Sequence, residues 1–241
     1  MTKNLSNNPD VLCIVGKANK YGSGHYRRMQ ALMHDLEKHN LKCVIIDDEK
    51  KITCAGENLK VKMVILDKRD DNFPEPIFNQ NNAVLFAVDN RGEGRKSATH
   101  IWDTLPHPDM SKPEVIKALQ NFLLSPTYKV DKSKSTTAVI SFTENIENIT
   151  ADENTLIHKP NDYSEDFNER LLNATTVYTY FGQTLFESIY LGKNIVLYGI
   201  SPYHEKLARW FVNFWKFNEA AHQNLDGSGY KRLSDRILSL I

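Results

Sequence analysis

The feature that most constrains this fold is a series of short apolar runs alternating with helical patterns, three of those runs ending at aspartate. Val11–Val15, Cys43–Ile46, Met63–Leu66 and Ala83–Val88 each have the length and composition of a buried strand. The last three stop at Asp47, Asp67 and Asp89. Between the first two runs, Met29, Leu32, Met33 and Leu36 recur at helical spacing within about His25 to Lys38. This order predicts βα units and a parallel sheet. In such open sheets ligands bind at the carboxyl edge, where the aspartates fall.

After Trp102 the pattern changes. Pro106, Pro108 and Pro113 punctuate a connection, and Glu114–Leu124 reads as a helix. Lys129–Ser135 is short and charged, as a linker would be. Ala138–Phe142 restarts the strand pattern, with Thr155–His158, Val177–Tyr180 and Ile195–Ile200 as further strands. Asp166–Ala174, Thr184–Leu191, Glu205–Phe214 and Gly229–Ile241 read as helices around them. The expected architecture is α/β, with two small Rossmann-like lobes of parallel strands over 1–128 and 136–241, joined by 129–135. At 241 residues the second lobe is shortened, with room for a loop only between Phe142 and Thr155. A cleft between such lobes is the natural ligand site.

Composition narrows the function classes. Thirty Lys and Arg against thirty Asp and Glu give zero net charge, so no global attraction draws the chain to nucleic acid or to an anionic membrane. Cys13, Cys43 and Cys54 are odd in number and widely spaced, which does not suggest a disulfide framework. No apolar run approaches the ~20 residues that span a bilayer, and Met1–Asp10 lacks a signal-peptide core. The expectation is a cytoplasmic protein without a membrane span or a nucleic-acid partner. Asp67, Asp70, Asp71 and Asp89 read as strand-end and loop acids, because the His or acidic pairing of a metal site is absent. His100, His107 and His158 lie in different segments without ligand spacing, so no metal or other cofactor is expected. Trp210, Phe211, Phe214, Trp215 and Phe217 read as core packing or a dimer contact, hence a monomer or weak homodimer. Arg91, Arg95 and Lys96 form a basic loop, either solvated or in contact with an anionic substrate group.

The most informative stretch is Gly22-Ser23-Gly24-His25-Tyr26-Arg27-Arg28, between a strand and a helix. Glycines there let backbone approach a ligand, and a helix N-terminus favours anions. It is neither a Walker A loop nor a dinucleotide fingerprint, since the Lys-Ser/Thr pair and the glycine spacing are both missing. His25 falls in the first helical turn, where the dipole disfavours an imidazolium. A neutral imidazole there can act as a general base; it can equally be a helix-start histidine bonded to backbone or solvent. Arg28, one turn on, is an ion-pair partner, a surface residue, or a clamp on a carboxylate or phosphate.

Gly24-His25-Tyr26-Arg27-Arg28, with Leu32 following, resembles the G-H-x-x-R segment of the UDP-sugar hydrolases of pseudaminic-acid biosynthesis. These are relatives of the MurG-like, GT-B-fold glycosyltransferases. Met63–Asp67 and Phe86–Asn90 are similar to the family's strands that end at acidic turns. Thr179–Gly192, followed by Ile195–Tyr198, resembles its S-x-x-x-x-x-E-A-x-x-x-G donor segment. The resemblance runs from about Val11 to Phe211.

It implies a compact GT-B-like fold and a UDP-sugar or other nucleotide-sugar substrate. The implied catalytic set is His25, Asp67 and Asp89, with Gly22, Ser23, Gly24, Tyr26 and Arg28 binding substrate. Nucleotide contacts would fall on Gly182, Gln183, Thr184 and Glu187, with the glutamate on the ribose; without the resemblance, Glu187 reads as an exposed helix carboxylate. His204-Glu205 stands where the family has a polar pair. The implied reaction is attack of a His25-activated water on the anomeric carbon, releasing UDP. Transfer of the sugar to an acceptor, or binding without catalysis, are the alternatives.

The chain also departs from that pattern. Ile14 and Gly16 stand in place of an Arg-x-Asp pair, and Ser141–Asn145 carries Glu144 where the family has a glycine-rich turn.

Overall fold

A computed structural model describes residues 8–16, 24–47, 60–69, 71–73, 82–125, 127–128, 138–147, 149–160, 162, 164 and 166–241. These form two compact units, one of residues up to Thr104 together with Tyr230–Ile241, the other Leu105–Gly229. Each has its own parallel sheet, so the α/β class and the two Rossmann-like sheets expected from the sequence are present.

In the first unit β1 (Val11–Val15), β2 (Cys43–Ile46), β3 (Met63–Asp67), β4 (Val84–Val88) and β5 (His100–Trp102) lie in the order β2-β1-β3-β4-β5. All pairings are parallel, and β1 meets β3 in the register Val11–Met63 to Val15–Asp67. Every residue of β1 and β3 is buried. That explains their continuous apolar runs, since a parallel sheet covered on both faces has no solvent side to alternate with. Helix α1 (Gly24–Glu37) lies against β1 and β2 and buries Met29, Leu32, Met33 and Leu36, the stripe read from the sequence. The chain leaves α1 through Asn40 in the left-handed region, φ 63°, a conformation asparagine tolerates at helix ends.

The turn after β4 is tightly built. Asn90 donates its amide to the Lys68 carbonyl at 2.5 Å and the Asp71 carbonyl at 2.7 Å. Its side-chain oxygen accepts the Gly92 and Arg95 N–H groups, each at 3.0 Å. Short helix α2 (Glu93–Ser97) follows. Gly94 is needed there because a Cβ would stand 2.6 Å from the Asp71 carbonyl.

In the second unit β6 (Ile140–Phe142), β7 (Thr155–Ile157), β8 (Thr176–Thr179) and β9 (Asn194–Leu197) form a parallel sheet in the order β6-β9-β8-β7. Helices α3 (Lys112–Gln120), α4 (Phe167–Asn173), α5 (Gln183–Tyr190), α6 (Pro202–Lys216) and α7 (Glu219–His222) accompany it. Ser111 and Glu114 form a capping box on α3, and Ser201 caps α6 ahead of Pro202. Helix α5 is buried from Thr184 to Tyr190, whereas α6 buries one stripe of Leu207, Ala208, Phe211 and Trp215. Phe186 and Phe211, 5.2 Å between ring centroids, centre the core.

The units divide elsewhere than at the expected linker, 129–135, which lies outside the described residues. Residues 105–128 join the second unit because Leu119, Phe122, Leu124 and Tyr128 are buried in its core, Phe122 packing 5.3 Å from Phe186. The last helix, α8 (Gly229–Leu238), enters the first unit at Tyr230. Its Tyr230 hydroxyl donates to the Arg28 carbonyl at 3.1 Å and its Ser234 hydroxyl to Asp35 at 2.7 Å. The expected helix over Glu114–Leu124 stops at Gln120, and Phe122–Leu124 are buried outside any helix or strand. No helix among the described residues is long and apolar enough to cross a membrane.

Candidate functional site

The order 2-1-3-4-5 reverses direction between β1 and β3, and the crevice at such a reversal is where doubly wound sheets bind ligands. The first turn of α1 reaches this point after β1, and Asp67 is the last residue of β3. His25 and Asp67 meet there, Nδ1 to Oδ1 at 2.7 Å. Arg28 stands beneath them. Its Nε donates to Asp67 Oδ2 at 2.7 Å and its Nη2 to Oδ1, a two-pronged pair. Its Nη1 donates to Asp89 Oδ2 at 2.7 Å and to the Thr104 hydroxyl at 3.1 Å. Thr104, just beyond β5, gives its N–H to Asp89 Oδ1 at 2.6 Å and its hydroxyl to Oδ2. One network thus joins α1 to the ends of β3, β4 and β5.

The network is buried. Arg28 is 4% exposed, Asp67 and Thr104 fully enclosed, and Asp89 7% exposed. Burial alone would push the Asp67 carboxyl up, but the Arg28 guanidinium and the His25 ring outweigh it and hold it down at about 2. Asp67 is therefore an anion at neutral pH and can only accept hydrogen bonds. His25 Nδ1 also lies 3.3 Å from Arg28 Nη2, and one nitrogen cannot donate to the acid and accept from the arginine at once. The shorter contact to an anion decides: Nδ1 carries the proton, and the neutral ring has its lone pair on Nε2. The His25 side chain keeps 18% of its surface exposed.

Arg28 is the internal counter-ion of two buried acids, so it is not positioned as a substrate clamp. Asp89 reaches Arg28 and Thr104. Asp47 ends its strand exposed, apart from the other two aspartates. Gly24 opens α1, Tyr26 is 40% exposed, and Gly22, Ser23 and Asp70 lie outside the described residues. The basic loop is internally compensated: Arg95 grips Asp103 at 2.8 and 3.0 Å, and Lys96 pairs with Glu93.

The remaining candidates are in the second unit. Gly182 caps α5 with extended backbone, and a Cβ on it would meet nothing nearer than the Tyr180 ring at 3.8 Å. Gly182→Ala is expected to leave melting temperature unchanged within a degree or two, so any loss of nucleotide binding in calorimetry would report contact with ligand. Gln183 donates to the Leu123 carbonyl at 2.9 Å and to Glu187 at 3.0 Å, and Glu187 and Thr184 are each only 6% exposed. Gln183 and Glu187 therefore engage each other and the chain, and Glu187 is not the exposed carboxylate that its position suggests.

His204 Nδ1 lies 2.8 Å from the Ser201 hydroxyl, and Glu205 pairs with Arg209 at 2.9 Å. Arg209 also holds Glu144 at 2.5 Å, with its guanidinium 4.1 Å over the Phe142 ring. That answers the charge placed in this turn: Glu144 is neutralised by α6. A cavity of about 640 Å³ lies over this carboxyl edge, lined by Glu144, Asn145, Lys159, Tyr198 and Gly199 among others.

His158 closes β7, stacked 4.9 Å from Tyr180, with Nδ1 3.0 Å from the Thr179 hydroxyl. Burial lowers its pKa from the ordinary 6.5 to about 4. An unfolded chain therefore takes up this proton before the native one, and stability falls as pH drops from 6.5 towards 4. Between pH 7 and 5 the loss is about 2 kcal/mol. Melting temperature should fall over that range in the wild type, and the fall should shrink in His158→Phe.

Among the described residues no group of three or more His, Cys, Asp or Glu is placed to hold a metal ion. Thr104 and Asn90 were not singled out in the sequence, yet both build this edge. Comparison with protein-family models, with curated proteins and with solved structures finds no match to this chain.

Proposed function

We propose that this chain hydrolyses nucleotide sugars, UDP sugars first among them, in the biosynthesis of surface sugars of the nonulosonic-acid type, with a compact GT-B-like fold. The observation that carries the proposal is the 2.7 Å pair between His25 and the buried, ionised Asp67 at the reversal point of the first sheet. The substrate class comes from the resemblance of Gly24–Arg28 and Thr179–Gly192 to that hydrolase family.

In the reaction, His25 Nε2 takes a proton from a water molecule as its oxygen bonds to the anomeric carbon. The bond from that carbon to the UDP oxygen breaks, and its electron pair leaves on the phosphate. Asp67 stabilises the imidazolium formed. Such a base contributes roughly 10²–10⁴-fold.

The test is a panel of UDP sugars incubated in H₂¹⁸O. The proposal expects UDP release, with the label in the free sugar and none in UDP. Label in UDP would place the attack on phosphorus and overturn the mechanism. A glycoside in place of free sugar would make the reaction a transfer. No UDP release from any member of the panel, with no heat on UDP titration, would remove the nucleotide-sugar reading.

A further inference from the structure

We infer that Thr104 and Asp89 are positioning residues that act through Arg28 and Asp67 to fix the tautomer and aim of His25. The inference rests on the proposed role of His25 as the base, but its main readout needs no substrate.

The starting observation is the backbone of Asp89. Its φ of 47° lies in the left-handed region, which few non-glycine residues occupy. The neighbours over-determine it. The Asp89 N–H donates to the Trp102 carbonyl at 3.1 Å. Both carboxylate oxygens take hydrogen bonds from Thr104, and Oδ2 takes a third from Arg28 Nη1. Next to it Asn90 locks the turn through four bonds. A left-handed residue held this firmly is the mark of a side chain that must point one way.

What Asp89 points at is the guanidinium that grips Asp67. Arg28 has five N–H donors in a planar fork, and the structure uses each side differently. One side, Nε and Nη2, meets both oxygens of Asp67; the other, Nη1, is tied to Asp89 and Thr104. Fixing Nη1 fixes the rotation of the fork, and the fork fixes the plane of the Asp67 carboxylate. That plane places Oδ1 at 2.7 Å from His25 Nδ1. The Thr104 hydroxyl is suited to the junction because it donates to Asp89 while accepting from Arg28; valine would have the same shape and neither function.

Two outcomes separate positioning from support. In ¹⁵N NMR of the substrate-free protein, neutral His25 should be the Nδ1–H tautomer in the wild type. Thr104→Val should shift it towards a mixture with Nε2–H, and Thr104→Ser should restore it. Asp89→Asn, which suits a left-handed backbone but has no charge, should shift it in the same direction. Where turnover is measured, Thr104→Val should lower kcat by roughly ten- to a hundred-fold, as a displaced catalytic group does, with KM unchanged. If Thr104→Val and Asp89→Asn lower the melting temperature and leave the tautomer as in the wild type, the residues are structural only and the inference fails. A shifted tautomer with no turnover on any nucleotide sugar would sustain the positioning role and overturn the proposed reaction instead.

Discussion

Arg28→Met should be the most destabilising single change in the first unit, lowering the melting temperature by about 10 °C or more. The methionine fits the volume but removes from the buried Asp67 and Asp89 the guanidinium that compensates both. Removing one partner of a buried ion pair typically costs about 3–5 kcal/mol, because the other charge stays desolvated. Here one guanidinium serves two carboxylates, both at least nine-tenths buried. Arg28→Lys should recover part of the loss, since an ammonium supplies charge without the fork. The sign with pH follows from Asp67. Its native carboxyl sits at about 2, below the ordinary 3.8, so its contribution is complete above the ordinary value and is lost as pH falls towards 2. Calorimetric melts of wild type and variant at neutral pH check the prediction. A difference of under two degrees would mean that the pair does not hold the sheet edge together.

The second large effect is on catalysis. His25→Gln should lower kcat by roughly 10²–10⁴-fold with melting temperature nearly unchanged. Glutamine can still donate to Asp67 but cannot take a proton, and position 25 is at the rim of the network rather than inside it. Asp67→Asn should be as damaging for a different reason. Its amide can donate to Nδ1 and so favour the tautomer with the proton on Nε2, which removes the base while preserving the shape. That variant also leaves Arg28 with one acid, so its stability must be measured beside its rate.

Much of this site was legible in the sequence. The strands ending at Asp67 and Asp89 were visible because a parallel strand buried on both faces is a plain apolar run, and the acid ends it. The orientation of Arg28 was available too. The buried stripe of α1, Leu36, Leu32 and Met29, continues towards the helix start through Arg28 and His25 at the same spacing. A charge on an apolar stripe, near two strand-end acids, is an internal counter-ion rather than a surface clamp. Glu187 carries the same lesson, since Leu185, Phe186, Ile189 and Tyr190 surround most of its helix with apolar side chains and every residue from Thr184 to Tyr190 is buried.

Other parts were hidden for physical reasons. β5 is three residues long, and its flanks are polar, so neither length nor alternation marks it, and Thr104 had no strand to end. The role of Asn90 depends on carbonyls at 68 and 71 that only the folded sheet brings near. The unit boundary was hidden because chain order does not say which sheet a helix covers. Helix α3 follows the first sheet in sequence and packs with the second unit, while α8 from Tyr230 onward belongs to the first.

The central claim is that His25, held by Asp67, is the base that releases UDP from a nucleotide sugar. Its most direct test is the initial rate of UDP release from one UDP sugar that the wild type turns over, compared with His25→Gln at equal folded concentration. The rate in the variant should be at least about a hundred-fold lower, following the general-base contribution of roughly 10²–10⁴. An unchanged rate would show that another group activates the water and would contradict the mechanism proposed for this site.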